Sequence, residues 1–407
     1  MIYQNINKCR LCNSNKLTKI LNLKKQPSSN ALRTSLKHKE HYIPLSILFC
    51  NNCKIVQLSS TANPKYLFNH YVWVTKTSKS AKEYANIFCD RVLNKTKANS
   101  IIVEIASNDG TFLKPFKKRK RTVLGIDPAK NIARMAKSDG INTIPVFFNS
   151  KCALKIAKKY GKADVVFARN VIPHVKDIHS VIKGMANLLS DKGIGIIEFH
   201  YSKIIQDELH YDSIYHEHLF YFTIKTLMTL CDKYGLFAFD VDKSPISGGS
   251  VVLYFSKLKK NSSVALKKMI NTERIKKVNT LAKWSSFAKK SIKHSENFKS
   301  KIKNLKKKHK LIGYGASARS STLLNFCGIN NKMISRIIDK NKLKRNKFTP
   351  GSSIKIVSFD DEIKNISKYD LVVILAWNFK KEIIEDLKIN KFKGKFLLPL
   401  PNKIRLI

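Results

Sequence analysis

From residue 98 to about 255, short apolar runs alternate with longer stretches of helical period, and this alternation restricts the fold more than any other feature. Each run is buried on both faces only if the runs pair side by side and helices cover them. That is a doubly wound α/β arrangement. The same alternation resumes at residue 309 and continues to 407. A chain of 407 residues exceeds what one core serves, so two or three domains are expected.

The stretch NSIIVEIASNDGTFLKPF reads as a strand from Ile101 to Ile105, a loop holding Ser107, Asn108, Asp109 and Gly110, and a helix. In an open parallel sheet, ligands sit where strands end, so the loop is placed for one. The next strand, TVLGID, ends on Asp127, whose carboxylate suits a pair of ribose hydroxyls. The loop lacks the three-glycine pattern of a pyrophosphate site, and Glu104 and Asp109 would repel one. Acidic groups favour a cationic sulfonium, so S-adenosylmethionine is the expected cofactor. Asn170 and His174, after the strand in KADVVFARNVIPHVKDI, fall at the same sheet edge.

Ahead of this unit, Cys9 and Cys12 (CRLC) and Cys50 and Cys53 (CNNC) are two knuckles separated by 37 residues. Four thiolates at this spacing suit a closed, structural zinc ion. Residues 61 to 95 read as an aromatic turn running into a helix.

The formal charge of +49 comes from 77 Lys plus Arg, of which twelve are Arg, against 28 Asp plus Glu. The lysines are scattered along the whole chain and accompany no nucleic-acid module, so a nucleic-acid partner is not expected. No stretch reaches 18 uninterrupted apolar residues, and MIYQNINKCRLCN has no signal-like apolar region. A soluble, cytoplasmic protein without a membrane span is expected; its subunit number is left open.

The stretch YDSIYHEHLFYF, residues 211 to 222, sets Tyr215, His216, Glu217 and His218 in succession. Aromatic packing accounts for Phe220 and Phe222. It accounts poorly for the polar run, because burying adjacent His, Glu and His leaves many polar atoms needing partners.

With VEIASNDGTFL, GIDPAKNIARMA, NVIPHVKDI, YDSIYHEHLFYF, GLFAFDVD, GYGASARSSTLLNFCGI, TPGSSIKI, LAWNFKKEI and GKFLLPLP in this order, the chain resembles the sugar-nucleotide C-methyltransferases. The resemblance covers essentially the whole chain. It implies a class I methyltransferase Rossmann-like domain flanked by a small zinc-binding N-terminal domain and a second Rossmann-like C-terminal domain. The corresponding ranges are 1–70 for zinc binding, 71–256 for the methyltransferase, 257–308 for a helical connector and 309–407 for a substrate-binding α/β domain. The implied reaction is methyl transfer to the carbon alpha to the ketone of a nucleoside-diphosphate 4-keto-hexose, through an enolate.

On the same resemblance His218 is the general base, Glu217 orients a histidine or holds the sugar, and Tyr215 or His216 donates to the enolate oxygen. Glu104, Ser107, Asn108, Asp109, Gly110, Asp127 and Asn170 are expected at the cofactor. His174, Ser247, Gly315, Arg319, Asp339, Trp377 and Asn378 are expected at the nucleotide sugar, and Tyr221 is either a further contact or a core aromatic. Gly315 permits a tight turn, and the helix start beside Ser317 and Arg319 is a candidate diphosphate contact. Departures from the family pattern are Ala106 for glycine, His200 for proline, and Ser247 and Val252 for histidine and arginine. The alternatives are an O- or N-methyltransferase, or a catalytically altered zinc-bearing interaction protein.

Overall fold

The computed structural model describes residues 2–63, 67 and 74–407. The expected aromatic turn falls largely on residues outside this set. From Lys79 the helix Lys79–Leu93 is as expected, with Ser78 capping its start by accepting from the Ala81 amide.

The central sheet has seven strands, in the order Phe237–Ser244, Ser250–Ser256, Leu189–His200, Ala163–Arg169, Ile101–Ile105, Thr122–Ile126 and Thr143–Ile144. The last five are parallel; Ser250–Ser256 runs antiparallel to both of its neighbours, Leu189–His200 and the edge strand Phe237–Ser244. Ile102, Val103, Ile105, Val165, Val166, Phe167, Ile196 and Ile197 are all buried, as strands covered on both faces require. Chain direction around the sheet reverses at Ile101–Ile105, which pairs with the following strand on one side and with Ala163–Arg169 on the other. The crevice at its carboxyl end is where this fold takes a ligand.

Ala106 opens that crevice with φ 54°, a left-handed conformation that glycine adopts freely and alanine does not. Ala106→Gly removes the steric cost and adds some unfolded-state entropy. A net gain of about 0.5–1 kcal/mol is expected in urea unfolding.

The N-terminal unit is a long hairpin, Leu17–Pro27 with Tyr42–Cys50, extended by Val56–Leu58. Its fourth strand comes from far along the chain: Phe220–Tyr221 pairs with Val56 and Gln57. The polar run of residues 215–218 is thus anchored on its C-terminal side to the N-terminal sheet. The C-terminal unit has six strands, in the order Lys355–Ser358, Arg336–Asp339, Leu311–Tyr314, Leu371–Ile374, Lys395–Leu398 and Arg405–Leu406, parallel except for the last.

Two helices, Val264–Ile275 and Leu281–Lys306, link the α/β units. Trp284, Phe287, Ser291, His294, Phe298 and Ile302 form the buried stripe of the longer one, at helical spacing, and its lysines mostly face water. Among the described residues no helix is long and apolar enough to cross a membrane.

Candidate active site

The four knuckle sulfurs lie within 4.8 Å of one another, with Cys9 to Cys53 and Cys12 to Cys50 at 3.6 Å. A tetrahedron with Zn–S bonds of about 2.3 Å has edges of about 3.8 Å, so the sulfurs stand where zinc requires them. Each knuckle closes on a left-handed residue, Asn13 (φ 58°) and Lys54 (φ 65°), whose amide returns to the carbonyl of Cys9 or Cys50 at 2.9 Å. Gln57 donates to Cys9 Sγ at 3.1 Å, and Gln57 in turn is held by Arg10. The ligand set is complete with four thiolates and is structural.

In the first loop of the central unit, Asp127 accepts from the Asn108 and Ala129 amides, both at 2.9 Å. Each oxygen keeps a second lone pair for a ribose hydroxyl. Glu104 is 3% exposed with Oε2 unpartnered, and Ser107 Oγ is likewise buried without a partner among the described residues. Burial raises the Glu104 carboxyl well above its ordinary value, although Arg169 pulls the other way. Buried polar atoms without partners at a strand-end crevice fit a bound S-adenosylmethionine, with Asp127 at the ribose and the acidic lining suited to a sulfonium.

Two residues expected at the cofactor brace the loop. Asp109 is fully buried; its oxygens accept from Lys76 N at 2.9 Å, and from Thr111 N at 3.2 Å and Oγ1 at 2.6 Å. Asn108 Oδ1 accepts from Thr75 N at 2.9 Å. Gly110 (φ 73°) packs so that a Cβ would sit 2.8 Å from Ile141 Cγ1. Asn170, also left-handed at φ 51°, donates to the buried Glu198 at 3.3 Å.

The polar run divides between two units. Tyr215 and His218 remain together: Tyr215 Oη lies 2.7 Å from His218 Nε2, and His218 Nδ1 lies 2.8 Å from the Ser213 carbonyl. A carbonyl only accepts, so Nδ1 carries the proton and Nε2 presents its lone pair, receiving the tyrosine hydroxyl. The His174 ring packs edge-on to His218 at 4.7 Å. Burial, then the neighbouring His174 and Arg319, hold His218 well below its ordinary pKa; burial brings His174 to about 4. Both rings are neutral at physiological pH.

His216 and Glu217 turn toward the N-terminal unit. His216 Nε2 donates to the Ile43 carbonyl at 3.2 Å, which leaves Nδ1 as a buried lone pair with no partner among the described residues. Burial brings this ring to about 4, so it has no second proton to donate. The expectation that His216 donates to an enolate oxygen is therefore corrected: its one N–H is already engaged. Glu217 accepts from Asn30 Nδ2 at 2.6 Å, a residue of the hairpin loop that the sequence reading missed. Nothing in the sequence marks a loop asparagine as reaching a carboxylate 187 positions away.

Burial pushes the Glu217 carboxyl up to about 7, against the lowering effect of Asn30. The folded value lies above the unfolded one, so the stabilisation is complete below pH 4.5 and is lost as pH rises through 7. Glu217→Gln keeps the Asn30 hydrogen bond and removes the titration. Urea unfolding at pH 4.5 and 8 is expected to show the variant gaining about 3 kcal/mol relative to wild type at the higher pH.

Asp212, also absent from the expected site, joins the central and C-terminal units. It is fully buried and receives Arg319 through both oxygens, at 3.0 and 2.7 Å, and Trp377 Nε1 at 2.8 Å. Arg319 lies 4.6 Å over the Trp377 ring. The guanidinium expected at a diphosphate is thus engaged in a bidentate pair. Ser317 caps the helix Ala318–Cys327 by accepting from Ser320 N.

Asp339 is similarly occupied, by the Ala316 and Asn341 amides at 2.8 Å and by Lys344 at 3.1 Å. Both follow from the need of a charge shielded from water for a partner, which Arg319 finds across the unit boundary in Asp212 and Asp339 finds within its own unit in Lys344. Gly315 (φ 93°) lets the loops after two strands touch, since a Cβ there would lie 2.3 Å from Ala376 Cβ. Asn378 follows in the turn Trp377–Phe379 and is half-buried. Tyr221 is 3% exposed in the main core, and its hydroxyl has no hydrogen-bond partner among the described residues. Ser247 belongs to the turn Ile246–Gly248, and its side chain lies outside the described residues.

Three family comparisons match successive parts of the chain: a zinc binding domain over 9–68, a methyltransferase domain over 79–238 and a C-methyltransferase C-terminal domain over 245–401. The C-methyltransferase NovU of Streptomyces niveus is 29% identical over 408 residues, which is 98% of this chain and 97% of the relative. A ubiquinone biosynthesis O-methyltransferase of Bartonella bacilliformis is 27% identical over 97 residues, 24% of this chain and 39% of that protein. Among solved structures, the magnesium protoporphyrin IX methyltransferase of Synechocystis is 12% identical, with 43% of this chain and 79% of that one covered and a TM-score of 0.34. The three matched domains, the end-to-end relative and the four-thiolate cluster agree: this chain is an S-adenosylmethionine-dependent methyltransferase that shares the domain order of its C-methyltransferase relative, with a zinc-binding N-terminal domain and a C-terminal α/β domain.

Proposed function

We propose that the acceptor is a nucleoside-diphosphate 4-keto-hexose, methylated on the carbon alpha to the ketone through an enolate. The observation that carries this reading is the His218 tautomer. A neutral imidazole whose proton is tied to the Ser213 carbonyl offers its other nitrogen as a base.

When bound, S-adenosylmethionine supplies an electrophilic methyl group. The chain's own residues prepare the carbon that receives it. Tyr215 transfers its hydrogen bond from His218 Nε2 to the ketone oxygen, which exposes the lone pair and stabilises the charge that develops on oxygen. His218 Nε2 then takes the proton from the alpha carbon, and the electron pair of the C–H bond becomes the enolate. After transfer the protonated imidazole returns its proton to solvent, where burial makes the charged form unfavourable. His174, packed edge-on to the base, limits its rotation.

Oxygen or nitrogen acceptors are already nucleophilic and do not need a base paired with an oxyanion donor. The whole-length likeness to a protein named as a C-methyltransferase supports the choice of carbon, and the motif resemblance supports the sugar nucleotide. The test is transfer from isotope-labelled S-adenosylmethionine to a panel of nucleotide-linked 4-ketohexoses, with the product read by mass and carbon NMR. Methyl bound to carbon alpha to the ketone is expected; methyl on oxygen, or no transfer to any ketosugar, would refute the proposal.

A further inference from the structure

Two buried histidines outside the proposed base pair are connected to the surface by hydrogen bonds. His200 ends the strand Leu189–His200, in register with Ser250, and is 7% exposed; His210 is fully buried. His200 Nε2 lies 3.1 Å from His210 Nδ1, and His210 Nε2 lies 3.2 Å from Glu208 Oε2. Only the Glu208 carboxylate, 40% exposed, is substantially open to water.

The proton positions along this row follow from its outer end. An ionised carboxylate only accepts, so His210 carries its proton on Nε2 and has a lone pair at Nδ1. That lone pair must be met by an N–H on His200 Nε2. His200 Nδ1 is then a bare acceptor, and none of the described residues hydrogen-bonds to it.

The surroundings keep this state neutral and oriented. Around His200 the charged or titratable groups are Arg319, His210 and His218; around His210 they are Glu208, Arg319 and Asp212. Burial, reinforced by Arg319, lowers both imidazoles, so neither acquires a second proton near neutrality. The two rings stack at 5.3 Å, and Trp377 lies 4.7 Å from His210. His200 also stands at the sheet edge that takes ligands, beside Asn170, whose amide donates to the Glu198 carbonyl and whose side chain meets Ser250.

The geometry points to His200 as a binding residue for a hydroxyl of the acceptor, held in the Nε2–H tautomer by the positioning residues His210 and Glu208. This rests on the sugar-acceptor reading above. A bare nitrogen accepts a hydroxyl proton and loses that hydrogen bond with an acceptor that has hydrogen or methyl at that position, so it discriminates between them.

Two measurements test it. Nitrogen-15 NMR of the histidine rings in the whole protein is expected to show His200 protonated at Nε2 and bare at Nδ1. Glu208→Lys, at an exposed position, replaces the acceptor with a donor. It is expected to invert both rings, so that the His200 proton appears on Nδ1. A wild type already protonated at Nδ1, or a Glu208→Lys spectrum unchanged at His200, would overturn the assignment.

In methyl transfer with acceptors differing by single hydroxyls, His200→Phe is expected to raise KM about five- to tenfold for the one hydroxylated form that wild type prefers. The expected kcat is little changed, and the preference over the deoxy form disappears. An active wild type whose hydroxyl preference survives in His200→Phe refutes the role of His200 alone. A wild type inactive on every ketosugar refutes the acceptor reading and the role of His200 together, while the NMR result stands on its own.

Discussion

His218→Ala is expected to lower methyl transfer to a 4-ketohexose by about 10²–10⁴-fold, the usual weight of a general base, with S-adenosylmethionine binding unchanged. The reason is that Nε2 of this ring is a neutral lone pair within a hydrogen bond of a hydroxyl donor, while its other nitrogen is tied to Ser213. The cofactor crevice at residues 104–127 is formed by other strands and does not depend on the imidazole. Initial rates measured beside calorimetric titration of the cofactor separate the two effects. Tyr215→Phe is the companion: it keeps the ring and removes the hydroxyl, so its loss reports stabilisation of the enolate oxygen. Retention of activity within tenfold in His218→Ala would show that another group removes the proton.

Removing the zinc is expected to have the largest effect on stability. Four thiolates without an ion would crowd charge within 4.8 Å, and structural zinc sites contribute on the order of 10 kcal/mol to folding. Cys50→Ser, or a strong chelator, is expected to unfold the hairpin unit and release the metal, bound at about one ion per chain. Loss should spread to the candidate site, because that unit supplies the strand partner of Phe220–Tyr221, the Ile43 carbonyl for His216 and the Asn30 amide for Glu217. Metal content by plasma mass spectrometry, thermal unfolding and proteolysis of the first 60 or so residues check this. A variant that loses the metal but keeps its unfolding midpoint would show that the knuckles contribute nothing to the fold.

The acid limb of the reaction follows from the same geometry. Burial and the nearby His174 and Arg319 hold the His218 pKa well below 6.5, so the base stays deprotonated down to mildly acidic pH. The stability contribution has the same direction: a histidine whose folded value is depressed stabilises fully above pH 6.5 and loses that contribution as pH falls. His174 and His216, both near 4, act alike, and Glu217 acts oppositely.

The alternation of apolar runs with helical stretches was enough to place the strands Ile101–Ile105, Thr122–Ile126 and Leu311–Tyr314 and the loops that follow them. Those signals are local: period, turn residues and burial on both faces leave one pairing scheme for a parallel sheet. Cysteine spacing alone identified the zinc ligands, since a knuckle is formed by four consecutive residues. Ala106 was legible as a departure from a family glycine, and its φ of 54° is the conformation that makes glycine the natural occupant.

What the sequence left undecided is how the polar residues of 208–222 divide among the units. Tyr215 and His218 stay with the central domain, His216 and Glu217 serve the N-terminal hairpin, and Tyr211 and Asp212 serve the connector and C-terminal unit through His294, Arg319 and Trp377. Residues near in sequence part here because the chain turns once: the His218 amide bonds the Tyr215 carbonyl at 2.9 Å, which brings 215 and 218 together and sends 216 and 217 to the other side. The physical reason is that a hydrogen bond depends on the direction of a few atoms across a domain boundary. Sequence spacing determines which elements form and what ligand chemistry they carry; only the packing of three units against one another decided which carboxylates and imidazoles are paired across a unit boundary and which are not.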